Sequence, residues 1–371
     1  MRVLFISTHT DQNTGYAKVA NNLLKQMSTF NIELYHFGFQ RHPTFRRPKL
    51  ENVIQYDAQA NEENKQLQGF GFSVINDYIK TVKPDIVMFY NDTLIINQFL
   101  KVMFPTEETP KTFKIYVYLD QVYKHTQLAD IEKHADKLFT FSQTYWKIHG
   151  AKVPQFEISH APEPSVKHVT ITEEQKKLYK VDNIEGHVYL NINRNSQRKR
   201  LDLTLQAWAI HVKTFPNDVL ILTTSAKGFY NLQIICALEK IEQKNIRIID
   251  TTDNALSDES INILYNIADF GINTSNGEGF GLSTLEHATL NKPQVAIDIG
   301  AYREFLNNDT ASLLTPTIKN YLGNPIMGFY DETTTPEHVA EALTQVKTKQ
   351  KPTISLTWEA IGNSLKEHFL P

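Results

Sequence analysis

Apolar and polar positions follow one another along the chain in blocks that predict strands and helices in turn. The apolar run at residues 2–7 predicts a strand, and the following segment places Val19, Leu23, Leu24 and Met27 on one helical face. Strands are predicted again at 32–39, 85–91, 113–120, 137–142 and 155–164, with helices ending near 82 and spanning 94–103. Strands that alternate with helices predict a parallel sheet covered by helices on both faces.

A second series of the same kind follows a polar segment at 165–187, which is typical of a crossing between domains. Strands at 188–193, 218–225, 246–250, 270–275 and 293–298 alternate with helices at 201–215, 229–241, 257–268 and 282–291, and a closing helix is predicted within 355–370. The pattern predicts an α/β fold with two tandem Rossmann-like, doubly wound domains. We expect one domain at 1–170, joined by the returning helix at 356–371, and the other at 171–355.

Length and composition agree with two ordinary globular domains. The chain has 371 residues, and domains average roughly 150 residues. A net charge of -3 does not favour nucleic acid as a partner. The single cysteine, Cys236, excludes a disulfide framework and fits a reducing compartment. Because no apolar run approaches the length of a membrane span, we expect a cytoplasmic protein, with peripheral membrane contact left open.

Two loops that follow predicted strands carry candidate anion-binding groups, and open parallel sheets bind ligands at that edge. Gly15 precedes the first helix, where backbone amides favour an anion, although a lone glycine there is more often a turn. Arg194, Arg198, Lys199 and Arg200 crowd the start of a later helix. Positive charge is unfavourable at a helix start, so these cations predict an anionic partner, with a solvated basic loop as the alternative.

The stretch "NGEGFGLSTLEH" at 276–287 is the third candidate, with glycines at 277, 279 and 281 that allow close approach of a ligand. Glu278 is expected on the loop tip, where it could accept hydrogen bonds from hydroxyl groups. Glu286 follows one turn into the helix, on the side of the same cleft. Carboxylates beside cationic loops predict a ligand with hydroxyls and phosphates, a nucleotide sugar. The alternatives are a turn residue for Glu278 and an exposed helix residue for Glu286.

These motifs resemble the retaining glycosyltransferases of family four, which have the two-domain GT-B fold. The stretch 276–298 resembles their E-x7-E signature, with Glu278 and Glu286 at its glutamates, and "NRNSQRKRLD" resembles their Arg-x4-Lys element, with Arg194 and Lys199 at the matching places. The segments 135–164 and 298–306 also resemble that family. The resemblance implies two domains that face a cleft, the first binding the acceptor and the second the nucleotide sugar.

The resemblance also implies a role for each residue. Arg194 and Lys199 would neutralise the donor diphosphate, Glu286 would hold the ribose, and Glu278 the donor sugar, so that Arg194, Lys199 and Glu278 form the catalytic set. The implied donor site comprises Gly15, Arg194, Lys199, Glu278, Gly279, Phe280, Gly281, Leu282 and Glu286. No metal or other cofactor is expected, because cations take the place of a metal, and thirteen histidines lack a metal-like spacing.

One departure concerns the sugar contact made by a His-Asp pair in many members of that family. This chain has Leu119 and Asp120 there. Asp120, or His125 a turn later, could take over the contact, with a plain loop acid as the alternative for Asp120. His160 is a further candidate for a sugar contact, equally well explained as a structural residue. The basic loop at 39–53 is expected to be mobile and to bind the acceptor.

The sequence therefore predicts a retaining, metal-independent hexosyltransferase. The donor would be GDP-mannose or a UDP-hexose, and the acceptor a hydroxyl of a glycan, a lipid or a protein-linked group. Two alternatives stay open, a nucleotide-sugar epimerase of the same fold and a catalytically silent nucleotide-sugar-binding module, which the absence of the family histidine favours. A dehydrogenase is disfavoured because G-x-G-x-x-G does not follow the first strand. The sequence leaves the oligomeric state open.

Overall fold

The chain forms two compact units in the computed structural model, which describes residues 1–122, 129–142, 144, 151–324 and 328–369. The first unit comprises Met1–Ala161, Asn324–Phe329 and Leu356–Pro371, and the second comprises Pro162–Gly323 and Tyr330–Ser355. Each unit holds one parallel sheet with helices packed against it. The prediction of two Rossmann-like α/β domains is confirmed.

The sheet of the first unit has seven parallel strands in the order β3-β2-β1-β4-β5-β6-β7. Its strands are β1 Arg2–Thr8, β2 Glu33–Phe39, β3 Val53–Asp57, β4 Ile86–Asn91, β5 Lys114–Leu119, β6 Lys137–Thr140 and β7 Gln155–Glu157. Its helices up to this point are α1 Gly15–Met27, α2 Ala58–Asn61, α3 Ile75–Val82, α4 Thr93–Met103 and α5 Ala129–His134. Every residue of β4 is buried, as expected for a central strand of a parallel sheet covered on both faces.

Helix α1 illustrates how the sequence pattern produces this packing. Thr14 caps the helix by accepting a hydrogen bond from the backbone N–H of Ala17. The predicted apolar face is buried against the sheet, including Val19, Leu23 and Met27. A separate apolar cluster of this unit includes Phe37, Phe89 and Phe99 and none of the buried residues of α1.

The second unit has a six-stranded parallel sheet in the order β10-β9-β8-β11-β12-β13 and holds most of a separate two-stranded sheet. Its strands are β8 Val188–Ile192, β9 Val219–Thr224, β10 Ile246–Asp250, β11 Phe270–Asn273, β12 Gln294–Ile297 and β13 Ala311–Leu314, and β14 Ile318–Asn324 pairs with β15 Gly328–Thr333. Its helices are α6 Glu173–Leu178, α7 Leu201–Thr214, α8 Leu232–Leu238, α9 Asp258–Ile267, α10 Leu282–Thr289 and α11 Pro336–Gln345.

The last helix, α12 Trp358–Lys366, packs against α1 of the first unit. Gly362 allows close approach, because a Cβ there would lie 2.7 Å from the side-chain oxygen of Gln26. Just beyond the helix, the rings of Phe369 and Phe30 lie 6.0 Å apart. In the part of the chain that is described, no helix has both the length and the apolar character needed to cross a bilayer.

Two predicted elements are shorter in the structure, for local reasons. The strand expected at 155–164 ends at Glu157, and the end of that range could not extend it, because Pro162 and Pro164 cannot donate the hydrogen bonds of a sheet ladder. The helix expected at 229–241 is reduced to α8. It ends because Lys240 adopts a left-handed conformation with φ 57° while Ile241 N–H returns to the carbonyl of Cys236, which closes the helix.

Candidate active site

The site in the second unit lies where the order of strands reverses. From β8 the chain proceeds to β9 and β10 on one side, and from β11 to β12 and β13 on the other. Strands β8 and β11 pair directly, with Gly271 opposite Leu190. The loop after β8 carries the cationic cluster and the loop after β11 carries the glycine-rich stretch. Both loops therefore meet at the switch point, where doubly wound sheets bind their ligands.

Lys199 and Glu278 form a buried ion pair between these two loops. Nζ of Lys199 lies 2.6 Å from Oε1 and 2.8 Å from Oε2 of Glu278. Nη1 of Arg198 lies 2.8 Å from Oε2, and the side-chain amide of Asn273 donates to Oε1 at 3.3 Å. Glu278 is only 5 % exposed. The expectation of a carboxylate on an open loop tip is therefore corrected, because the side chain turns inward to meet two cations.

The charges of this cluster follow from burial and pairing together. Burial lowers the pKa of Lys199 to about 8, even though the carboxylate of Glu278 acts in the opposite direction. Burial also acts to raise the pKa of Glu278, but the attraction of Lys199 and Arg198 outweighs it and the pKa is lowered. Two cations thus share one carboxylate, and the cluster keeps a positive charge at neutral pH.

The four cations of the loop after β8 have different environments. Arg194 is exposed, Lys199 is buried, and Arg198 donates to both Glu278 and the carbonyl of Gly277. Arg200 instead pairs with Asp202, with Nε 2.9 Å from Oδ1. Arg200 has a left-handed backbone with φ 47° at the start of α7. Arg194, Arg198 and Lys199 therefore remain as candidate ligands for an anion, and Arg200 has a structural role.

The glycine-rich loop is held by the loop that follows β12. Gly281 has φ 84°, and a Cβ there would lie 2.4 Å from Cε1 of Tyr302. Gly300 has φ 63°, and a Cβ there would lie 2.6 Å from the carbonyl oxygens of Glu278 and Gly279. Ala301 N–H donates to the carbonyl of Gly279 at 3.0 Å. Side chains at these glycines would push the two loops apart, so close packing and the left-handed backbone both require glycine.

The remaining predicted donor residues lie beside this loop. The side chain of Phe280 is buried and stacks on Phe305 with ring centroids 5.4 Å apart, so it belongs to the core. Leu282 begins α10, and Glu286 lies one turn further on. Glu286 is 4 % exposed, and its Oε2 accepts a hydrogen bond from the hydroxyl of Tyr265 at 2.8 Å. The alternative of an exposed helix residue at Glu286 is wrong.

Three predicted residues belong to the first unit. Gly15 begins α1. Asp120 accepts a hydrogen bond from the hydroxyl of Tyr90 at 2.7 Å, and the Tyr90 ring lies 6.0 Å from that of His160. His160 is buried among aromatic rings, and burial lowers its pKa to about 3, so the imidazole is neutral. Asp120 and His160 therefore both contact the same tyrosine, Tyr90.

Part of the predicted site falls outside the residues that the structure describes. His125, the alternative to Asp120, lies there. Gln143 and residues 145–150 of the segment 135–164 also lie there. Within the described ranges, no group of three or more His, Cys, Asp or Glu side chains could hold a metal ion. The expectation of a metal-free site stays a prediction.

Sequence reasoning missed several residues that shape the site. Arg198 was named in the sequence only as one of four cations, and the resemblance gave it no role; in the structure it donates a hydrogen bond to Glu278. Asn273, at the end of β11, contacts the same carboxylate. Tyr265 and Tyr302 come from α9 and from the loop after β12. Nothing in their local sequence marks them, because their contacts depend on packing between distant elements.

Part of the second unit matches a known protein family. Residues 186–322 match the family model described as Glycosyl transferases group 1. Residues 186–322 are a glycosyltransferase domain. This glycosyltransferase domain contains both loops of the site, so the prediction that the chain is a transferase enzyme is confirmed. Assignment to family four stays a prediction. Comparison with curated protein sequences finds no significant match.

Solved structures resemble the whole chain. Sucrose-phosphate synthase from Thermosynechococcus elongatus has a TM-score of 0.69 and 13 % identity, covering 99 % of this chain and 93 % of its own. HepE from Anabaena, solved with UDP-glucose, has a TM-score of 0.64 and 14 % identity, covering 100 % and 99 %. A glycosyltransferase from Rickettsia africae has a TM-score of 0.60 and 16 % identity, covering 99 % and 94 %. At these identities the likeness shows a shared GT-B fold.

Proposed function

We propose that the protein is a retaining hexosyltransferase of family four that uses a nucleotide-diphosphate sugar. It moves the hexose from a UDP-hexose or GDP-mannose to a hydroxyl of a glycan, lipid or protein-linked acceptor. The observation that carries the proposal is the buried cluster of Lys199, Arg198 and Glu278 at the switch point of a glycosyltransferase domain. Burying a net positive cluster costs free energy, so an anionic ligand is the natural partner.

The chemistry of the donor explains why cations belong at this place. As the sugar leaves, negative charge grows on the diphosphate, and fixed positive groups stabilise that charge more than they stabilise the bound donor. These groups are supplied by the exposed Arg194 and by Lys199 and Arg198, which pair with the carboxylate of Glu278. Because the cations can carry this work, the reaction requires no divalent metal in our proposal.

Glu278 receives a more specific role than the sequence suggested. Its oxygens already accept hydrogen bonds from Lys199, Arg198 and Asn273. We therefore propose that Glu278 mainly positions Lys199 and Arg198 for the diphosphate. The donor sugar would be held by backbone groups of Gly279, Phe280, Gly281 and Leu282, where the glycines allow close approach and the α10 terminus favours negative charge.

The other predicted residues keep supporting roles in the proposal. Glu286 would bind the ribose hydroxyls, and the hydroxyl of Tyr265 would hold the carboxylate in position for them. Gly15 would allow the loop before α1 to approach the donor phosphates. Asp120 and His160, which share Tyr90, would contact the sugar. The single cysteine supports a cytoplasmic location.

Retention of configuration is part of the proposal. The departing phosphate oxygen would take the proton of the acceptor hydroxyl on the same face of the sugar from which it leaves. This route needs fixed charge around the diphosphate and no nucleophilic carboxylate beside the sugar. Pairing of Glu278 with two cations agrees with it, since a carboxylate held in this way is a poor nucleophile.

Calorimetry with UDP-glucose and GDP-mannose tests the donor assignment. HepE was solved with UDP-glucose, so that sugar is the first to try. We expect one of the two to bind, and release of nucleoside diphosphate to depend on an added acceptor. If neither UDP sugars nor GDP sugars bind, the proposed function is wrong. Binding without turnover over an acceptor panel would identify the silent module, and conversion of the sugar without an acceptor would identify the epimerase.

A further inference from the structure

The loop after β2 carries a concentration of positive charge that the donor site does not explain. Arg41, Arg46 and Arg47 fall within ten residues, 41–50, that contain no aspartate or glutamate. The loop follows the carboxyl end of β2, and β2 pairs with β1 along its length. It therefore lies at the ligand-binding edge of the first unit's sheet.

Two of the arginines anchor the loop to the segment that follows β1. Arg41 binds Oδ2 of Asp11 through Nε at 3.0 Å and Nη2 at 2.9 Å, and its Nη1 lies 3.1 Å from Oδ2 of Asp57. Arg47 donates its backbone N–H to Oδ1 of Asp11 and its Nε to the carbonyl of Thr10, both at 2.9 Å. Burial opposes the charge of Asp11, but the hydrogen bonds from Arg47 and Arg41 outweigh it and lower its pKa. Arg41 is thus held by acidic side chains.

Further contacts hold the loop between these anchors. Nδ1 of His42 accepts hydrogen bonds from the backbone N–H groups of Phe45 at 2.9 Å and Thr44 at 3.2 Å. The guanidinium of Arg47 lies 5.1 Å from the centre of the Phe45 ring. These contacts tie down a loop for which the sequence predicts mobility. A held loop presents its cations in a fixed arrangement, which reduces the entropy that a ligand must overcome.

Arg46 is an exposed cation of this loop that is placed to meet a ligand. Its side chain is 47 % exposed, and Nε lies 3.7 Å from Oδ2 of Asp11, which Arg41 already occupies. Its guanidinium donates to the carbonyls of His42, Pro43 and Phe45 at 2.8, 3.1 and 2.6 Å. A phosphate accepts from a guanidinium more strongly than neutral carbonyls do. The guanidinium groups of Arg41 and Arg46 share the carboxylate of Asp11, and Arg41 also contacts Asp57. The three arginines and Lys49 of the loop outnumber these two carboxylates, so positive charge remains.

We propose that this loop binds a phosphate group of the acceptor, with Arg46 as its main ligand and Arg47 beside it. The inference rests on the proposed function and specifies its acceptor as phosphorylated. Arg46 would exchange its carbonyl partners for two phosphate oxygens, which match the planar fork of a guanidinium. A phosphorylated sugar and a lipid phosphate headgroup share this chemistry.

Hydrogen–deuterium exchange of the full chain shows which segments are protected when inorganic phosphate binds. Inorganic phosphate, compared with chloride at equal ionic strength, is expected to slow exchange in peptides covering 9–14 and 40–50. Any effect at the donor site would appear separately in peptides covering 194–200 and 276–282. Arg46→Ala should abolish the first response and preserve the second. Because Arg46 contacts the backbone of its own loop at an exposed position, this substitution is not expected to unfold the protein.

Arg247→Ala is the matched control. Arg247 lies in the second unit, and its guanidinium also donates to backbone carbonyls, those of Lys180, Gln243, Lys244 and Ile246. The substitution removes the same charge and should leave the response at 40–50 unchanged. If phosphate fails to protect 40–50, or if Arg46→Ala and Arg247→Ala affect that protection alike, the inference is overturned.

Two further arms distinguish the source of the phosphate. A hexose 6-phosphate is compared with the same hexose, and vesicles of phosphatidylcholine with phosphatidylglycerol are compared with phosphatidylcholine alone. Protection of 40–50 by the sugar phosphate indicates a soluble acceptor, and protection by the anionic vesicles alone indicates a lipid headgroup. Either result supports the site, whereas protection by neither overturns it.

Kinetics separate this inference from the proposed function. With a phosphorylated acceptor, Arg46→Ala should raise the acceptor KM about tenfold or more, and leave kcat within about twofold, since the lost contact lies away from the reacting atoms. Failure of every nucleotide sugar to bind in calorimetry would contradict the proposed function, because that measurement does not involve Arg46. Normal turnover with an unchanged acceptor KM would contradict only the phosphate inference.

Discussion

Nζ of Lys199 lies 2.6 Å from Oε1 of Glu278, and both side chains are buried. The pair joins the loop after β8 to the loop after β11, 79 residues further along the chain. The pair matters for both stability and chemistry. The carboxylate of Glu278 holds Lys199 in place, and a bound diphosphate would compete with that carboxylate for the cation. Four predictions concern this pair and its surroundings, and one concerns Glu286.

Glu278→Ala should lower the free energy of unfolding by about 3 kcal/mol, because it leaves the cations of Lys199 and Arg198 without the carboxylate that pairs with both. Urea unfolding followed by circular dichroism measures the change. The double variant Lys199→Ala with Glu278→Ala should recover part of that loss and should still lack donor turnover. If Glu278→Ala is as stable as the wild type, the pair carries no buried charge in solution.

Arg194→Ala should weaken nucleotide binding with little effect on folding. Arg194 is exposed, so we expect the free energy of unfolding to change by less than about 0.5 kcal/mol. Loss of a charge-assisted contact to the diphosphate should raise the Kd of the donor about tenfold to a hundredfold in calorimetry. Arg247→Ala serves as the control for loss of a surface charge. Equal donor affinities in the two variants would remove Arg194 from the donor site.

Alkaline pH should inactivate the donor site before it unfolds the protein. Burial lowers the pKa of Lys199 from 10.5 to about 8, so the cation is present below that pH and is lost as the pH rises through it. The value of kcat/KM for the donor should then fall about tenfold per pH unit.

The stability of the fold distinguishes this effect from unfolding. Between about pH 8 and 10.5 the unfolded chain binds the Lys199 proton more tightly than the folded chain, so this group makes stability rise with pH. Circular dichroism should therefore show an intact fold at pH 9, where kcat/KM has already fallen. A flat kcat/KM profile up to pH 9.5 would contradict the lowered pKa of Lys199.

Gly281→Ala and Gly300→Ala should each destabilise the second unit by about 1–3 kcal/mol. Both backbones are left-handed, and the added Cβ would lie 2.4 Å from Tyr302 in one case and 2.6 Å from carbonyl oxygens of Glu278 and Gly279 in the other. Thermal unfolding measures the loss. Ser283→Ala, in the first turn of α10, should change stability by less than about 0.5 kcal/mol. Wild-type stability of both glycine variants would show that the two loops can separate at no cost.

Tyr265→Phe should weaken donor binding through Glu286. The substitution keeps the buried ring and removes the hydroxyl that donates to Oε2 of Glu286 at 2.8 Å. We expect the free energy of unfolding to fall by about 1 kcal/mol and the Kd of the donor to rise. Comparing a nucleoside diphosphate with the corresponding 2′,3′-dideoxy compound tests the ribose contact. If Tyr265→Phe raises the Kd of both compounds by the same factor, Glu286 does not contact the ribose hydroxyls.

Local patterns in the sequence determined the class of the fold and the position of the site along the chain. Alternating apolar blocks predicted the strands, because a parallel strand buried on both faces must be apolar throughout, and residues such as those of β4 satisfy that condition. The motifs around Lys199 and Glu278 follow strands β8 and β11, and strand ends are where doubly wound sheets bind ligands. Both inferences require only neighbours within a few residues.

Only the tertiary structure decided how the charges are paired. Four cations in one loop were visible in the sequence, but strand order brings Glu278 between Arg198 and Lys199, while Arg200 pairs with Asp202. In the first unit, Asp11 in the loop after β1 accepts hydrogen bonds from Arg41 in the loop after β2. Such pairings depend on which strand ends are adjacent and on how deeply each side chain is buried. Sequence spacing does not contain that information, because Coulomb energy and desolvation depend on distance and surroundings in space.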